Sequence, residues 1–220
     1  MHEHRFPGET DRYRQARDEL LRQEIELRRR MEAVAALRRA LPTGGEVPQD
    51  YEFDADGGAK VKLSELFGDH DTLVLYNFMY GPKAAEPCPM CSSFLDGLEG
   101  NAQQIEQRTA LAVVARSPIA RIREFADRRG WQRLKLYSSA SNDFNLDYFG
   151  EDEDGEQRTM LHVFTRSGGH VRHFWSTELG FVPSETGQNE RHIDTMWPLW
   201  NVLDTTPEGR GESWFPKLWY

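Results

Sequence analysis

The chain has 220 residues, 38% of them apolar and 29% charged, enough for one substantial core with extensions and too few for two full domains. Its net charge of −9 argues against a general binder of nucleic acid or anionic membrane, which would need a basic face. No run approaches the ~18 apolar residues of a membrane span, and the charged start Met1-His2-Glu3-His4-Arg5 lacks the apolar stretch of a signal peptide. A cytoplasmic, reducing location is the expectation, and there a cysteine pair is rarely a structural staple.

Residues 10–40 read as one long charged helix. Tyr13, Ala16, Leu20, Leu27, Met31, Val34 and Leu41 recur at steps of three, four or seven, a narrow apolar stripe that breakers at Leu41-Pro42-Thr43-Gly44-Gly45 bring to an end. The stripe either packs on the domain or pairs two copies in a homodimer, although Gln23 and Glu24 interrupt a coiled-coil seam. Residues 1–45 are thus an N-terminal helical extension, 46–212 a globular domain and 213–220 an aromatic tail.

Tyr51 to Phe53 and Val61 to Leu63 flank Asp56-Gly57-Gly58 as a hairpin, followed by a helical turn at Ser64 to Phe67. Thr72 to Tyr80 is a nearly unbroken β-prone run, the pattern of a strand covered on both faces. A loop from Gly81 to Pro87 leads to the cysteines. Phe94, Leu98, Ala102 and Ile105 then mark an amphipathic helix over 91–107. Leu111 to Ala115 reads as a second buried strand. Ser117 as N-cap, Pro118 as first residue and Gly130 as stop frame a helix at 118–129. Met160 to Arg166 and His170 to Trp175 form a hairpin around Ser167-Gly168-Gly169. A last helix within 189–203 carries Ile193, Met196, Trp197 and Trp200, and Pro198 must kink or restart it. The acidic run Glu151-Asp152-Glu153-Asp154-Gly155-Glu156 reads as a solvated loop.

The order β, Cys-x-x-Cys, α, β, α, β-hairpin, α is that of the thioredoxins, and the preceding hairpin is of the peroxiredoxin kind. The expected fold is therefore α/β and thioredoxin-like, a central mixed sheet flanked by helices, with a long N-terminal helix. Cys88 and Cys91 are the only cysteines. Chance alone places two cysteines of a chain this long three apart about once in a hundred.

A free thiol with pKa ~8.5 is mostly protonated at neutral pH, and a helix N-terminus lowers that value. Cys88, just ahead of the helix, is the expected nucleophile. Cys91, one turn on and less accessible, is the expected resolving thiol. Pro89 pre-sets the first helical residue, and Met90 leaves no charge beside the nucleophile. A zinc site would have to recruit two histidines, yet His170 and His173, three apart on a strand, point to opposite faces. A Cu(I) site with Met79 or Met90 is chemically reasonable. Ser92 follows Cys91, which excludes a c-type haem attachment. No metal and no cofactor is expected.

The segments Ala40-Leu41-Pro42, Asp50-Tyr51-Glu52-Phe53, Leu63-Ser64-Glu65-Leu66-Phe67-Gly68, Cys88-Pro89-Met90-Cys91, Ser139 to Asp147 and Leu203 to Arg210 occur in that order in one bacterial family. From about residue 10 to 212 the chain resembles the thioredoxin-like proteins labelled predicted dithiol-disulfide oxidoreductases. The resemblance implies the thioredoxin-like fold and, by label, thiol–disulfide exchange with a protein or small-molecule partner. Against the wider peroxiredoxin kin, Ala85 and Gly81 stand where a peroxidase carries Thr and Pro. Arg158 precedes the hairpin strand where a peroxiredoxin places its thiolate-stabilising Arg, and Thr159 resembles the residue that replaces the thioredoxin cis-proline. Tyr76 or Asn77 occupies the place of the buried thioredoxin acid and Pro87 that of the Trp before the cysteines, so proton transfer must use another group or water.

Three functions follow from this reading: a thiol–disulfide oxidoreductase, a thiol peroxidase resolved by Cys91, or a thioredoxin scaffold that binds partners without catalysis. Asn142 to Asn145 either line a substrate face or shape a loop through Asx turns. Asp204 and Arg210 are read as an ion pair that fastens the C-terminus. Trp197 and Trp200 are assigned to the core; Trp214, Phe215, Trp219 and Tyr220 form either a partner surface or a docked tail.

Overall fold

A computed structural model of the chain describes residues 4–183, 186, 193–211 and 214–220. Residues 1–42 and 43–220 form two compact units. In the first, helix α1 (Asp11–Arg39) starts at Thr10, whose hydroxyl accepts the N–H of Tyr13 at 3.2 Å. Pairs such as Arg28–Glu32, one turn apart, line its surface. The apolar stripe is not buried, because Tyr13, Leu20, Leu27, Met31 and Leu41 are all exposed.

The second unit holds a seven-stranded sheet built from β1 (Glu52–Asp54), β2 (Lys60–Lys62), β3 (Thr72–Phe78), β4 (Ala110–Ala115), β5 (Leu136–Ser138), β6 (Met160–Ser167) and β7 (His170–Ser176), in the spatial order β2-β1-β5-β4-β3-β6-β7. Strands β3, β4 and β5 run parallel, while β6 pairs antiparallel to β3 and turns back into β7. The helices are α2 (Pro89–Ile105), α3 (Ile119–Arg129), α4 (Phe144–Asp147) and α5 (Pro198–Leu203). A β3-α2-β4 unit beside an antiparallel β6–β7 hairpin, with the second parallel strand outside the first, is the thioredoxin topology. The α/β, thioredoxin-like expectation holds, including the mixed sheet and the long N-terminal helix.

Strand β3 explains why its sequence lacks polar alternation. Tyr76 and Phe78 join Phe94, Leu95, Trp131, Trp197 and Trp200 in one core, and Leu73 and Leu75 join Phe53, Phe67, Phe144 and Phe164 in another. Both faces of the strand are covered, as a central parallel strand requires. Asn77, the one polar residue of β3 within its buried stretch, donates to the carbonyls of Arg158 at 2.7 Å and Gly150 at 3.3 Å. A side chain at Gly150 would collide with the Asn77 amide, its Cβ only 2.5 Å from Nδ2.

Several local expectations need correction. Ser117 does not cap α3; Pro118 holds the N-cap position and the Ser117 hydroxyl donates to the Gly81 carbonyl at 3.0 Å. Gly130 does end that helix, in the left-handed conformation with φ +78°, which glycine adopts at no steric cost. Pro198 is the first residue of α5 and therefore restarts rather than kinks a helix; residues 189–192 lie outside the described residues. Strand β5 and helix α4 were not expected. The Asp204–Arg210 pair forms, Nε to Oδ1 2.7 Å. The C-terminal tail is docked in part: Trp219 packs on Phe125 with the Arg128 guanidinium 4.1 Å from its ring centroid, while Tyr220 is fully exposed.

Candidate active site

Strand β3 ends at Phe78, and the chain loops over residues 79–87 before entering α2. The Cys88 N–H donates to the Met79 carbonyl at 3.1 Å, which pins the far end of that loop against the end of the strand. Cys88 is the N-cap of α2 and Pro89 its first residue, where a missing N–H costs nothing. The Ser92 N–H and hydroxyl both donate to the Cys88 carbonyl, at 3.0 and 2.9 Å. The first turn is thus fixed around the first cysteine, and Met90 packs against the core below.

Both cysteines are free thiols, Cys88 half-buried and Cys91 buried. The Cys91 N–H points at the Cys88 sulfur, 3.4 Å away. Donation from the Cys91 thiol, seconded by the Cys91 and Met90 N–H groups, outweighs desolvation and brings the Cys88 pKa down to about 6. Cys91 moves the other way: burial pushes its pKa well up, and giving its proton to Cys88 holds it there. The two thiols are therefore divided by environment into a thiolate and a proton donor.

Behind Cys91 stands Tyr76. Its ring is fully buried against Phe94, centroids 4.9 Å apart. Its hydroxyl accepts from Thr159 Oγ1 at 2.6 Å and lies within hydrogen-bonding reach of Cys91. Burial foremost, and then the Cys91 thiolate's charge, keep the phenol protonated far above its ordinary range. A line of donors thus runs from Thr159 through Tyr76 and Cys91 to Cys88. Thr159 lies immediately before β6, 83 residues from Tyr76 in the chain.

Cys88 opens into a cleft of about 620 Å³, walled by Met79 and the loop after it on one side and by residues 151–157 on the other. The guanidinium in this cleft is Arg116, at the end of β4, bound to Glu151 at 3.0 Å and to the carbonyls of Ser139 and Asn142. Arg158 lies elsewhere. It pairs with Asp152 at 3.1 Å and lines a second cavity, of about 610 Å³, with Tyr148, Phe149 and His173. Sequence reasoning did not single out Arg116. Its signal was position, since the residue follows a wholly apolar parallel strand and sites gather at such carboxyl ends.

The remaining candidates shape the frame. Asn142 Oδ1 accepts the Phe144 N–H at 3.0 Å as an Asx turn, and Asn145 Oδ1 accepts from Ser139 at 2.6 Å. His170 pairs with Glu46 and His173 bonds Ser176. Among the described residues, no group of three or more His, Cys, Asp or Glu side chains is placed to hold a metal ion. Within the same residues, no helix is long and apolar enough to cross a membrane.

The fold and the dithiol define a thioredoxin-type protein with a cysteine pair at the start of the helix that follows its first parallel strand. The chain belongs to the DUF899 family, bacterial proteins of unknown function, which matches residues 2–220. No curated protein matches it. Among solved structures it is similar to the peroxidoxin BcpB of Mycobacterium tuberculosis, at 19% identity over 74% of this chain and 98% of that one, TM-score 0.46. It is also similar to the reduced 2-Cys peroxiredoxin of Plasmodium vivax, at 14% identity over 74% and 96%, TM-score 0.47. A third is BsSco, of the Sco family of cytochrome c oxidase assembly proteins, at 15% identity over 62% and 84%, TM-score 0.43. Likeness at this level carries no assignment of activity.

Proposed function

We propose that this protein is a thiol–disulfide oxidoreductase that uses Cys88 to attack and Cys91 to resolve. The observation that carries the reading is the division of labour at the head of α2: one sulfur, lowered in pKa, faces a cleft, and the other is buried one turn behind it. The Cys88 thiolate attacks a substrate disulfide, forming a mixed disulfide and expelling one substrate thiolate. Cys91 then loses its proton to the departing thiolate and attacks the Cys88 sulfur. A Cys88–Cys91 disulfide forms and the second substrate thiolate leaves. The dithiol gives up two electrons and the Cys91 proton, and the substrate becomes one thiol and one thiolate, the latter taking its proton from solvent.

Once Cys88 is tied up it no longer accepts the Cys91 proton, so the developing Cys91 thiolate needs another donor. Tyr76 supplies one from a fixed and dry position, itself steadied by Thr159. The phenol takes the place of the buried acid of thioredoxins, stabilising the resolving thiolate by donation rather than by accepting its proton.

With bis(2-hydroxyethyl) disulfide as substrate and an external reductant, Cys88→Ser is expected to abolish turnover. Cys91→Ser should stop after one equivalent, and turnover by Cys88→Ser equal to wild type would refute the reading. A finer test is Tyr76→Phe, which removes one hydrogen bond to a charged sulfur and leaves the ring in place. Such a bond contributes about 1.5–3 kcal/mol, so resolution should slow roughly 10- to 100-fold and the mixed disulfide should accumulate. First attack by Cys88 should change little. Rapid-quench mass spectrometry separates the two steps.

A further inference from the structure

The wall of the cleft opposite the cysteine loop is a small built element. Residues 151 and 157 bridge as an antiparallel pair, the Asp152 N–H donates to the Glu156 carbonyl at 3.1 Å, and Gly155 turns the chain with φ +82°. Gln157 Nε2 donates to Glu151 at 2.9 Å, and Glu151 in turn is held by Arg116. This hairpin presses against the other wall, for a Cβ added at Gly81 would lie 3.0 Å from Gln157 Cγ. The acidic run is solvated, with Glu153, Asp154 and Glu156 exposed, as its composition suggests, but it is also an ordered turn. It is fixed beside the nucleophile.

The charges around the cleft do not balance. Lys83 and Arg116 face four carboxylates, those of Glu86, Glu151, Asp154 and Glu156. Glu86 is paired with Arg128 at 3.6 Å, leaving Lys83 against Asp154 and Glu156 once Arg116 has engaged Glu151. Arg116 is engaged by Glu151, and Arg158 by Asp152 on the far side of the hairpin, so neither guanidinium neutralises Asp154 or Glu156. A cleft whose lining carries an excess of one sign of charge concentrates ligands of the opposite sign and raises their encounter rates at low salt. The Cys88 thiolate adds one more negative charge to the same space.

We infer that the cleft selects disulfides flanked by cationic groups, such as a disulfide next to lysine, arginine or amine nitrogens, over anionic ones such as glutathione disulfide. The inference rests on the exchange reaction proposed above and names its substrate class. Asp154 and Glu156 would meet the cation while Cys88 attacks the sulfur, with the bonds made and broken as already described.

The test uses three small disulfides with the reduced full chain: cystamine (cationic), bis(2-hydroxyethyl) disulfide (neutral) and dithiodiglycolate (anionic). Loss of the Cys88 thiolate is followed by stopped flow in wild type and in the double variant Asp154→Asn, Glu156→Gln. Comparing variant with wild type cancels intrinsic differences between the leaving thiols. The cystamine-to-neutral rate ratio is expected to fall at least about fivefold in the variant, and the dithiodiglycolate-to-neutral ratio to rise. Raising ionic strength from about 0.02 to about 0.5 M should shrink both ratios in wild type, since the screening length falls severalfold. Ratios that neither the variant nor salt alters would overturn the inference while leaving the dithiol reading intact. Failure of wild type to react with any of the three would remove both.

Discussion

Alkylation of reduced protein by iodoacetamide should follow a pH profile with its midpoint near 6, and the modified residue should be Cys88. The midpoint, rather than the rate, is the informative quantity. At pH 7 a thiol of pKa about 6 is roughly 90% thiolate, against about 3% for one at 8.5. Nucleophilicity, however, falls with pKa at a Brønsted slope of about 0.4–0.5, which returns most of that thirtyfold gain. A rate only a few times that of free cysteine at pH 7 is therefore expected together with a midpoint some two units lower. Because the chief cause of the lowered value is the Cys91 thiol, Cys91→Ala should move the midpoint up towards the ordinary thiol range. A wild-type midpoint near 8.5 would remove the distinction between the two sulfurs.

The same shift has a stability consequence whose sign is fixed. Folding lowers the Cys88 pKa, so its ionisation stabilises the reduced fold above the ordinary thiol range, and that contribution is lost as pH falls through about 6. Cys91, raised by burial, contributes below the ordinary range and loses its contribution only at higher pH. Of the two thiols, only Cys88 changes its contribution between about pH 6 and 8.5, and the comparison with Cys88→Ser cancels other groups such as His173. The urea midpoint of reduced wild type should therefore rise across that window relative to Cys88→Ser.

Glu99→Ala should destabilise the fold by about 3 kcal/mol. Glu99 lies on the buried side of α2, and its carboxylate accepts the N–H groups of Gln132, Arg133 and Leu134 at 2.9–3.1 Å. These three donors belong to the segment between α3 and β5, so one side chain stitches the helix that carries the dithiol to the chain entering the sheet. A buried donor left without a partner costs about 1–3 kcal/mol. Leu134 N is fully enclosed, whereas water can reach the other two in part, which keeps the sum at the low end of what three such donors would cost. For a chain of this size that corresponds to a fall in Tm of about 6–12 °C. Glu99→Gln, which keeps one acceptor oxygen and the shape, should lose about half as much. A calorimetric Tm within a degree of wild type for Glu99→Ala would contradict the account.

The legible parts of the fold were those with strong local patterns. Strand β3 announced its double burial by the nearly unbroken β-prone run from Thr72 to Tyr80, and α2 by apolar residues at steps of four and three. Strand β5 did not, because its three residues are a strand only through pairing with β4 on one side and β1 on the other. Helix α4 is a single turn held by Asn142 and by aromatic packing of Phe144, and no periodicity can show over four residues. Ser117 followed by Pro118 resembled a cap, but its hydroxyl was already claimed by Gly81 from the cysteine loop.

The candidate site divides along the same line. The Cys88–Cys91 spacing and its place between a strand and a helix are local facts, and they were readable. Tyr76 or Asn77 was legible as the occupant of an acid's position, but the choice of Tyr76 depends on Thr159 and Cys91 meeting it from two other elements. Arg158 matched a family position in sequence offset, while the hairpin before it turns its guanidinium towards Asp152 and leaves Arg116 to face the cleft. Which cation reaches a sulfur is a property of tertiary routing, and spacing along the chain does not carry it.

The most direct test is to locate the first sulfur to react. Reduced protein is mixed with one equivalent of a neutral disulfide, quenched in acid within milliseconds, and digested for peptide mass spectrometry. The adduct should sit on Cys88 and give way to an internal disulfide in wild type, while in Cys91→Ser it should persist. An adduct found first on Cys91, or one on Cys88 that never yields the internal bond in wild type, would contradict the assignment of attacking and resolving thiols.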